Sequence, residues 1–360
     1  MRRRTLLKLA GASLLMPSMA LAGPTDNHLV VVLLRGAVDG LSVLPPVGDP
    51  LYRRVRGNLA LDDALVLDGF FGLHPAMEAL MPLWQAGQLL GVHATALPYR
   101  KRSHFDAQDL LETAGGRDGW LNRALHSIDD AGLALGPDLP LLLRGEARVS
   151  SMDPGREVPE DDEVLELILG LYADDPVLGP ALAAALETRE SMDLEPTPTM
   201  PGKTKRGQDI SRVAGMAAEL LRGPDAPRAL VIDTGGWDTH ARQRGVLDAK
   251  LRGLAEGLAA LANGLGPAWS RTTVLVATEF GRTAAPNGTK GTDHGTASCA
   301  LVLGGGIDGG RILADWPGLD DLHEGRDLRP TTDLHAVFAG ALAASIGGEH
   351  VLDVSPLKLV

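Results

Sequence analysis

Short apolar runs alternate with long Ala/Leu-rich stretches along most of the chain, and this alternation restricts it to an α/β architecture. A strand buried on both faces reads as a continuous apolar run, and His28 to Leu34 (HLVVVLL) is one. Pro75 to Gln85 is predicted as a helix, Leu89 to His93 as a second strand and His104 to Thr113 as a helix. Leu139 to Leu143 is predicted as a further strand, and Asp161 to Met192 reads as helical with a break at Asp174 to Pro176. After a proline-rich linker or mobile loop near 195–207 the pattern resumes. It predicts helices over Ile210–Leu221, Gly245–Leu265 and Asp333–Ser345, and strands over Ala229–Ile232, Thr272–Ala277 and Ala300–Leu303. The expected fold is a mainly parallel central sheet with helices on both faces.

The first residues address the chain. Arg2, Arg3 and Arg4 precede Thr5-Leu6-Leu7-Lys8, an apolar run to Met19, and Ala20-Leu21-Ala22 before Gly23. A basic region, a short apolar region and a small-residue cleavage site make a secretory signal over 1–22. The run is shorter than the ~20 residues a spanning helix needs, so it reads as cleaved. Arg3-Arg4-Thr5-Leu6-Leu7-Lys8 resembles a twin-arginine signal. The expected partners are the twin-arginine translocon and signal peptidase, and the expected place is the periplasm or outside the cell. Residues 23–360 then form one large domain.

Charge narrows the function. Cleavage removes four cations and no acids, which takes the formal charge from −12 to −16. Such a surface repels nucleic acid and anionic lipid, so no nucleic-acid partner is expected. An anionic substrate would need a local cation to receive it, and a bound metal supplies one. Cys299, the single cysteine, excludes an internal disulfide and reads as a small buried residue.

Polar clusters recur where an open parallel sheet places its ligands, beyond the carboxyl ends of strands. They are Arg35–Gly40 after the first strand, Arg102-Ser103-His104 before a helix, Asp233–His240 after the Ala229 strand and Thr278–Arg282 after the Thr272 strand. Gly291–Gly295 precedes the Ala300 strand. Asp238 and His240 suit one metal; alternatively Asp238 caps a helix and His240 is solvated. Asp293 and His294 pose the same choice, with a turn as the alternative. Glu279 is a hard-oxygen ligand or the partner of Arg282. Ser103 is an N-cap with Asp106 three residues on, or a nucleophile at the positive end of a helix. His74 and His93 read as structural.

The segments LRGAVDGLSVLPP (34–46), GLHPAMEAL (72–80), RSHFDAQDL (102–110), GWLNR (119–123), GGWDTH (235–240), TEFGRT (278–283) and GTDHGTAS (291–298) resemble, in order, the bacterial domain-of-unknown-function family 1501. That family looks like a remote branch of the alkaline phosphatase and sulfatase superfamily. The resemblance implies an alkaline-phosphatase-like three-layer sandwich and a site holding a divalent metal such as zinc, calcium or manganese. It implies metal ligands among Asp39, Asp238, His240, Glu279, Asp293 and His294. Ser103 takes the nucleophile's place, beside His104, with Arg102 or Arg282 to hold an anion. Where sulfatases carry Asp-His-Gly at a strand end this chain has Glu279-Phe280-Gly281, one imidazole fewer.

Two functions follow as expectations. One is a metal-dependent hydrolase of phosphate or sulfate esters. The other is a non-catalytic periplasmic binding or assembly protein, with a protein partner, on a hydrolase-derived fold.

Overall fold

A computed structural model describes residues 26–136, 138–153, 170 and 210–360. The predicted helical stretch 161–192 and the linker near 195–207 lie outside the described residues, Gly170 excepted.

The large sheet is built from β1 (His28–Leu34), β4 (Leu89–Ala96), β5 (Ala131–Leu135), β6 (Arg148–Met152), β7 (Ala229–Thr234), β8 (Thr272–Ala277), β9 (Ser298–Gly304) and β10 (Arg311–Leu313). Its order is β10-β4-β9-β8-β1-β7-β5-β6, with β11 (Thr332–Asp333) also paired to β4. β2 (Leu65–Val66) and β3 (Gly72–Leu73) form a separate hairpin. β1 sits at the centre, parallel to β7 through Val31↔Val231 and to β8 through Val31↔Leu275. β9 alone in the large sheet runs against its neighbours β4 and β8.

Among the described residues the helices of defined extent are α1 (Gly40–Val43), α2 (Tyr52–Arg56), α3 (Met81–Gln85), α4 (His104–Thr113), α5 (Trp120–Ser127), α6 (Ile210–Arg222), α7 (Gln243–Leu265) and α8 (Leu334–Ala343). Because successive strand side chains point to opposite faces, β1 feeds two cores. Val30, Val32 and Leu34 pack with Val213 and Ala217 of α6 and Leu247, Leu251 and Leu254 of α7. Leu29, Val31 and Leu33 pack with Leu121 and Leu125 of α5 and Val337 and Phe338 of α8. The result is the expected three-layer α/β sandwich. Cys299 is buried on β9, and burial pushes its thiol pKa up, away from nucleophilic use.

One expected strand is absent. Leu141–Leu143 forms a single 3₁₀ turn that starts after Pro140, and the sheet uses Ala131–Leu135 and Arg148–Met152 instead. Pro140 cannot donate to a ladder, and a run of leucines without β-branched residues fits a buried turn as well as a strand. The two structural histidines are engaged as such. His74 accepts from the Ala76 amide at the start of a 3₁₀ turn, and His93 stacks on Phe71 with Nε2 3.0 Å from the Leu44 carbonyl. Complete burial holds the His93 pKa down at about 4, so that ring stays neutral.

Among the described residues, no helix is long and apolar enough to cross a membrane.

Candidate metal centre

The site follows from the topology. β1, β4, β7 and β8 end on the same edge of the sheet, and the antiparallel β9 begins there. The loop after β7 therefore meets the segment before β9, although the two are more than fifty residues apart. Glycines allow the approach. A Cβ on Gly291 would lie 2.2 Å from the His240 carbonyl carbon, and one on Gly36 (φ +118°) 2.6 Å from the Asp238 amide nitrogen.

Four side chains converge. His104, the first residue of α4, places Nε2 3.0 Å from Nε2 of His294 and 3.6 Å from Asp238 Oδ2. Asp238 Oδ1 lies 3.3 Å from His294 Nε2. Among the described residues, His104, Asp238 and His294 form the group whose ligand atoms all lie within 4.8 Å of one another. His240 adjoins them, with Nε2 3.0 Å from His294 Nε2 and 2.9 Å from Asp238 Oδ1.

The opposite nitrogen of each ring decides what this convergence means. His104 Nδ1 is 2.7 Å from Glu279 Oε1, His240 Nδ1 is 3.1 Å from Asp293 Oδ1, and His294 Nδ1 is 3.2 Å from the Arg102 carbonyl. Each of these three partners accepts, so each Nδ1 carries the proton and donates. A neutral imidazole then presents a bare lone pair at Nε2. Three lone pairs and a carboxylate facing one another at about 3 Å repel unless a proton on one Nε2 or a metal cation lies among them. In a tetrahedral site with ~2.0–2.1 Å metal–nitrogen bonds, ligand atoms stand roughly 3.3 Å apart. The separations here fit that donor set, and carboxylate-held imidazoles are the usual outer shell of a metal ligand.

Electrostatics tunes the donors. Burial raises the Glu279 pKa, but hydrogen bonds from His104, Gln108 and the Gly36 amide outweigh it and leave a carboxylate below its usual range. The bond to Glu279 raises the His104 pKa against an opposing effect of burial. Burial and the neighbouring His104 lower that of His294. Burial would raise Asp238, yet the Arg282 hydrogen bond and charge hold it below the ordinary value. Phe280 is buried with its ring 4.8 Å from that of His104 and 5.4 Å from that of His294. It forms an apolar wall behind two of the donors.

The sequence candidates divide by role. Glu279 and Asp293 grip imidazoles and do not belong to the close group of donors. Asp39 stands elsewhere: its carboxylate forms a fully buried ion pair with Arg56 and accepts from Ser42 Oγ at 2.9 Å. It lies five residues past the end of β1, at the N-cap position of α1, where Arg56 neutralises it before any metal could. Neither expected anion-binding arginine is free. Arg282 is buried and engaged by Asp238 and Thr292, while Arg102 pairs with Asp327 at 2.7 Å and with Glu324 at 2.5 Å. A guanidinium takes the nearest carboxylate, and the 324–327 turn, distant in sequence, supplies two. Ser103 is the N-cap residue of α4, but its side chain makes no capping bond, and Asp106 accepts instead from the Tyr99 hydroxyl at 3.0 Å. Sequence reasoning missed Gln108 and Asn287, which hold Glu279 and Asp293; a polar residue one turn along a helix or in a loop carries no distinguishing signal.

No curated protein matches the chain. Among solved structures it is similar to the C-terminal periplasmic domain of EcEptC from Escherichia coli, with 10% identity, 78% of this chain and 73% of that chain covered, and a TM-score of 0.38. It is also similar to the lipoteichoic acid synthase LtaP from Listeria monocytogenes, with 10% identity, 82% and 67% covered, and a TM-score of 0.37. For alkaline phosphatase from the Antarctic bacterium TAB5 the values are 10%, 80% and 95%, and 0.38. All three likenesses are distant. The sequence itself matches a described family over residues 74–352, a span that holds His104, Asp238, His240, Glu279 and His294. This chain belongs to that family, the proteins of unknown function DUF1501.

Proposed function

We propose that this protein is an exported, metal-dependent hydrolase of phosphate or sulfate esters. One divalent ion, zinc in preference to manganese or calcium, is held by His104, Asp238 and His294 with His240 beside them. The single observation that carries this reading is the inward turn of three imidazole Nε2 atoms whose Nδ1 atoms are all held by acceptors. Nitrogen-rich donors favour zinc and its neighbours over calcium, which prefers oxygen. When bound, such an ion draws an ester oxygen and lowers the pKa of an oxygen nucleophile.

The chain's own residues supply the rest. Ser103, with no capping bond, stands at the positive end of α4 between Arg102, whose carbonyl touches His294, and His104. It is the proposed nucleophile. A cleft of about 420 Å³ opens beside Asp293, lined by Pro286, Leu322 and Arg326 among others. That volume suits a small organic ester. The Arg326 side chain is 42% exposed on this wall; Nε pairs with Asp327 Oδ1 at 3.0 Å and Nη2 donates to the His294 carbonyl at 2.7 Å, so only its remaining N–H groups are left for an anion.

Metal analysis of the purified mature protein, with aryl phosphate and aryl sulfate assays, tests this. We expect about one equivalent of metal and slow turnover that Ser103→Ala removes. A metal-free wild type without turnover rejects the proposal. Turnover that survives Ser103→Ala leaves the hydrolase but transfers the nucleophile to water. Export by the twin-arginine route is part of the reading, and Arg3→Lys with Arg4→Lys should retain the precursor in the cytoplasm.

The engagement of both Arg102 and Arg282 favours a second reading, a binding or assembly protein that keeps the metal as a structural element. Metal without turnover, together with a protein partner recovered from the periplasm, supports it.

A further inference from the structure

We propose that Gln243 is a positioning residue that locks the two ligand-bearing loops to each other and to a buried ion pair, so setting the affinity of the metal site. This inference rests on the metal reading above.

Gln243 opens α7 and is fully buried. Its side-chain amide has one orientation available. Nε2 donates to Asp39 Oδ2 at 2.5 Å, and Asp39 is itself clamped by Arg56. Oε1 accepts from the Thr239 hydroxyl at 2.9 Å and from the Thr292 hydroxyl at 2.6 Å. Reversing the amide would set its oxygen against the Asp39 carboxylate, whereas the two threonine hydroxyls can rotate to suit either end. The orientation is therefore fixed by the charge of Asp39.

The two threonines lie in the two loops of the site. Thr239 separates Asp238 from His240, and Thr292 stands two residues before His294. Thr292 reaches further: its Oγ1 accepts from Arg282 Nε at 3.0 Å, and Arg282 holds Asp238. Also joining the loops, the Thr292 amide donates to the Thr239 carbonyl at 3.2 Å. One buried amide thus spans both loops while its other end is anchored on Asp39 and Arg56. Asp39 and Arg56 touch none of the converging imidazoles directly, so a positional role gives this costly buried pair a purpose. Two of its atoms, Asp39 Oδ1 and Arg56 Nε, have no hydrogen-bond partner.

Outer partners of metal ligands typically alter affinity ~10–100-fold. The test uses the purified mature protein, zinc and a competing chelator, with thermal unfolding of the metal-stripped protein as the control for folding. Thr292→Val removes the hydroxyl at nearly constant shape, Thr292→Ser keeps it, and Gln243→Met removes the amide. We expect Thr292→Val and Gln243→Met to weaken zinc at least tenfold, Thr292→Ser to stay within about twofold of wild type, and the metal-stripped Thr292→Val to remain folded at the assay temperature, with a midpoint lowered by its lost bonds to Arg282 and Gln243. If Gln243→Met does not fold, the Val and Ser pair decides alone. Wild-type affinity in Thr292→Val overturns the positioning role and leaves the metal site standing. Loss of zinc only in step with loss of the metal-stripped fold overturns it too. A wild type that binds no zinc removes both this inference and the metal reading.

Discussion

His294→Ala abolishes metal binding, while Glu279→Gln only weakens it: this is the expected result of competition titrations on the two variants. His294 lies at the middle of the cluster, within 3.0 Å of Nε2 of both other imidazoles and 3.3 Å from Asp238. Its loss leaves His104 and Asp238, 3.6 Å apart, without the third member of the group. The deficit should exceed the ~10–100-fold typical of an outer partner. Glu279 acts one bond away, through Nδ1 of His104, and the glutamine retains an oxygen acceptor there without the charge. Its effect should fall within that outer-shell range. Affinity in the wild type should also fall on acidification. Because Glu279 raises the His104 pKa, protons compete for its Nε2 from a higher pH than for an ordinary histidine, and metal binding must expel them. Equal affinity of wild type and His294→Ala would show that the imidazoles gather for another reason.

Arg56→Ala carries the largest expected cost in stability, about 3–5 kcal/mol in chelator-treated protein followed by urea unfolding. Arg56 is wholly inaccessible and its partner Asp39 almost so. Truncation strands a carboxylate in the interior, with only Ser42 and Gln243 donating to it, and also frees the Ala284 carbonyl that Arg56 binds at 2.9 Å. Three residues earlier, Arg53 pairs with Asp62 on the surface, where the two side chains are 70% and 77% exposed. Arg53→Ala should cost no more than ~1 kcal/mol, since solvent screens that pair. The contrast isolates burial, because both arginines sit on the same short helix and lose the same kind of partner. Equal midpoints for the two variants would mean that Asp39 finds water or another donor when Arg56 is gone.

Much of the fold was readable. Six apolar residues in a row after His28 allow little but a strand buried on both faces, and such a strand implies helices above and below it. The edge of the site was readable for the same reason: in a parallel sheet the polar residues that follow each strand must emerge together. Gly291–Gly295 joined them because β9 runs antiparallel and so starts where its neighbours end. Leu139–Leu143 misled, since an apolar run of five does not state its own backbone conformation. The division of labour within the site was not readable at all. Asp39, Glu279 and Asp293 are all acids near strand ends, yet one is buried against Arg56 and the other two grip imidazoles.

By itself, the amino-acid order determined the layered α/β architecture, the central strand and the set of loops from which a site could be made. Periodicity and composition act over a few residues, and those properties are local. Only the tertiary structure decided which carboxylates met arginines, which met histidines, and which nitrogen of each ring turned inward. Those choices depend on contacts between residues far apart in the chain, such as the Gly36 amide on Glu279, 243 positions away. No local signal encodes them, because a charged side chain is neutralised by whichever partner the folded chain brings within reach.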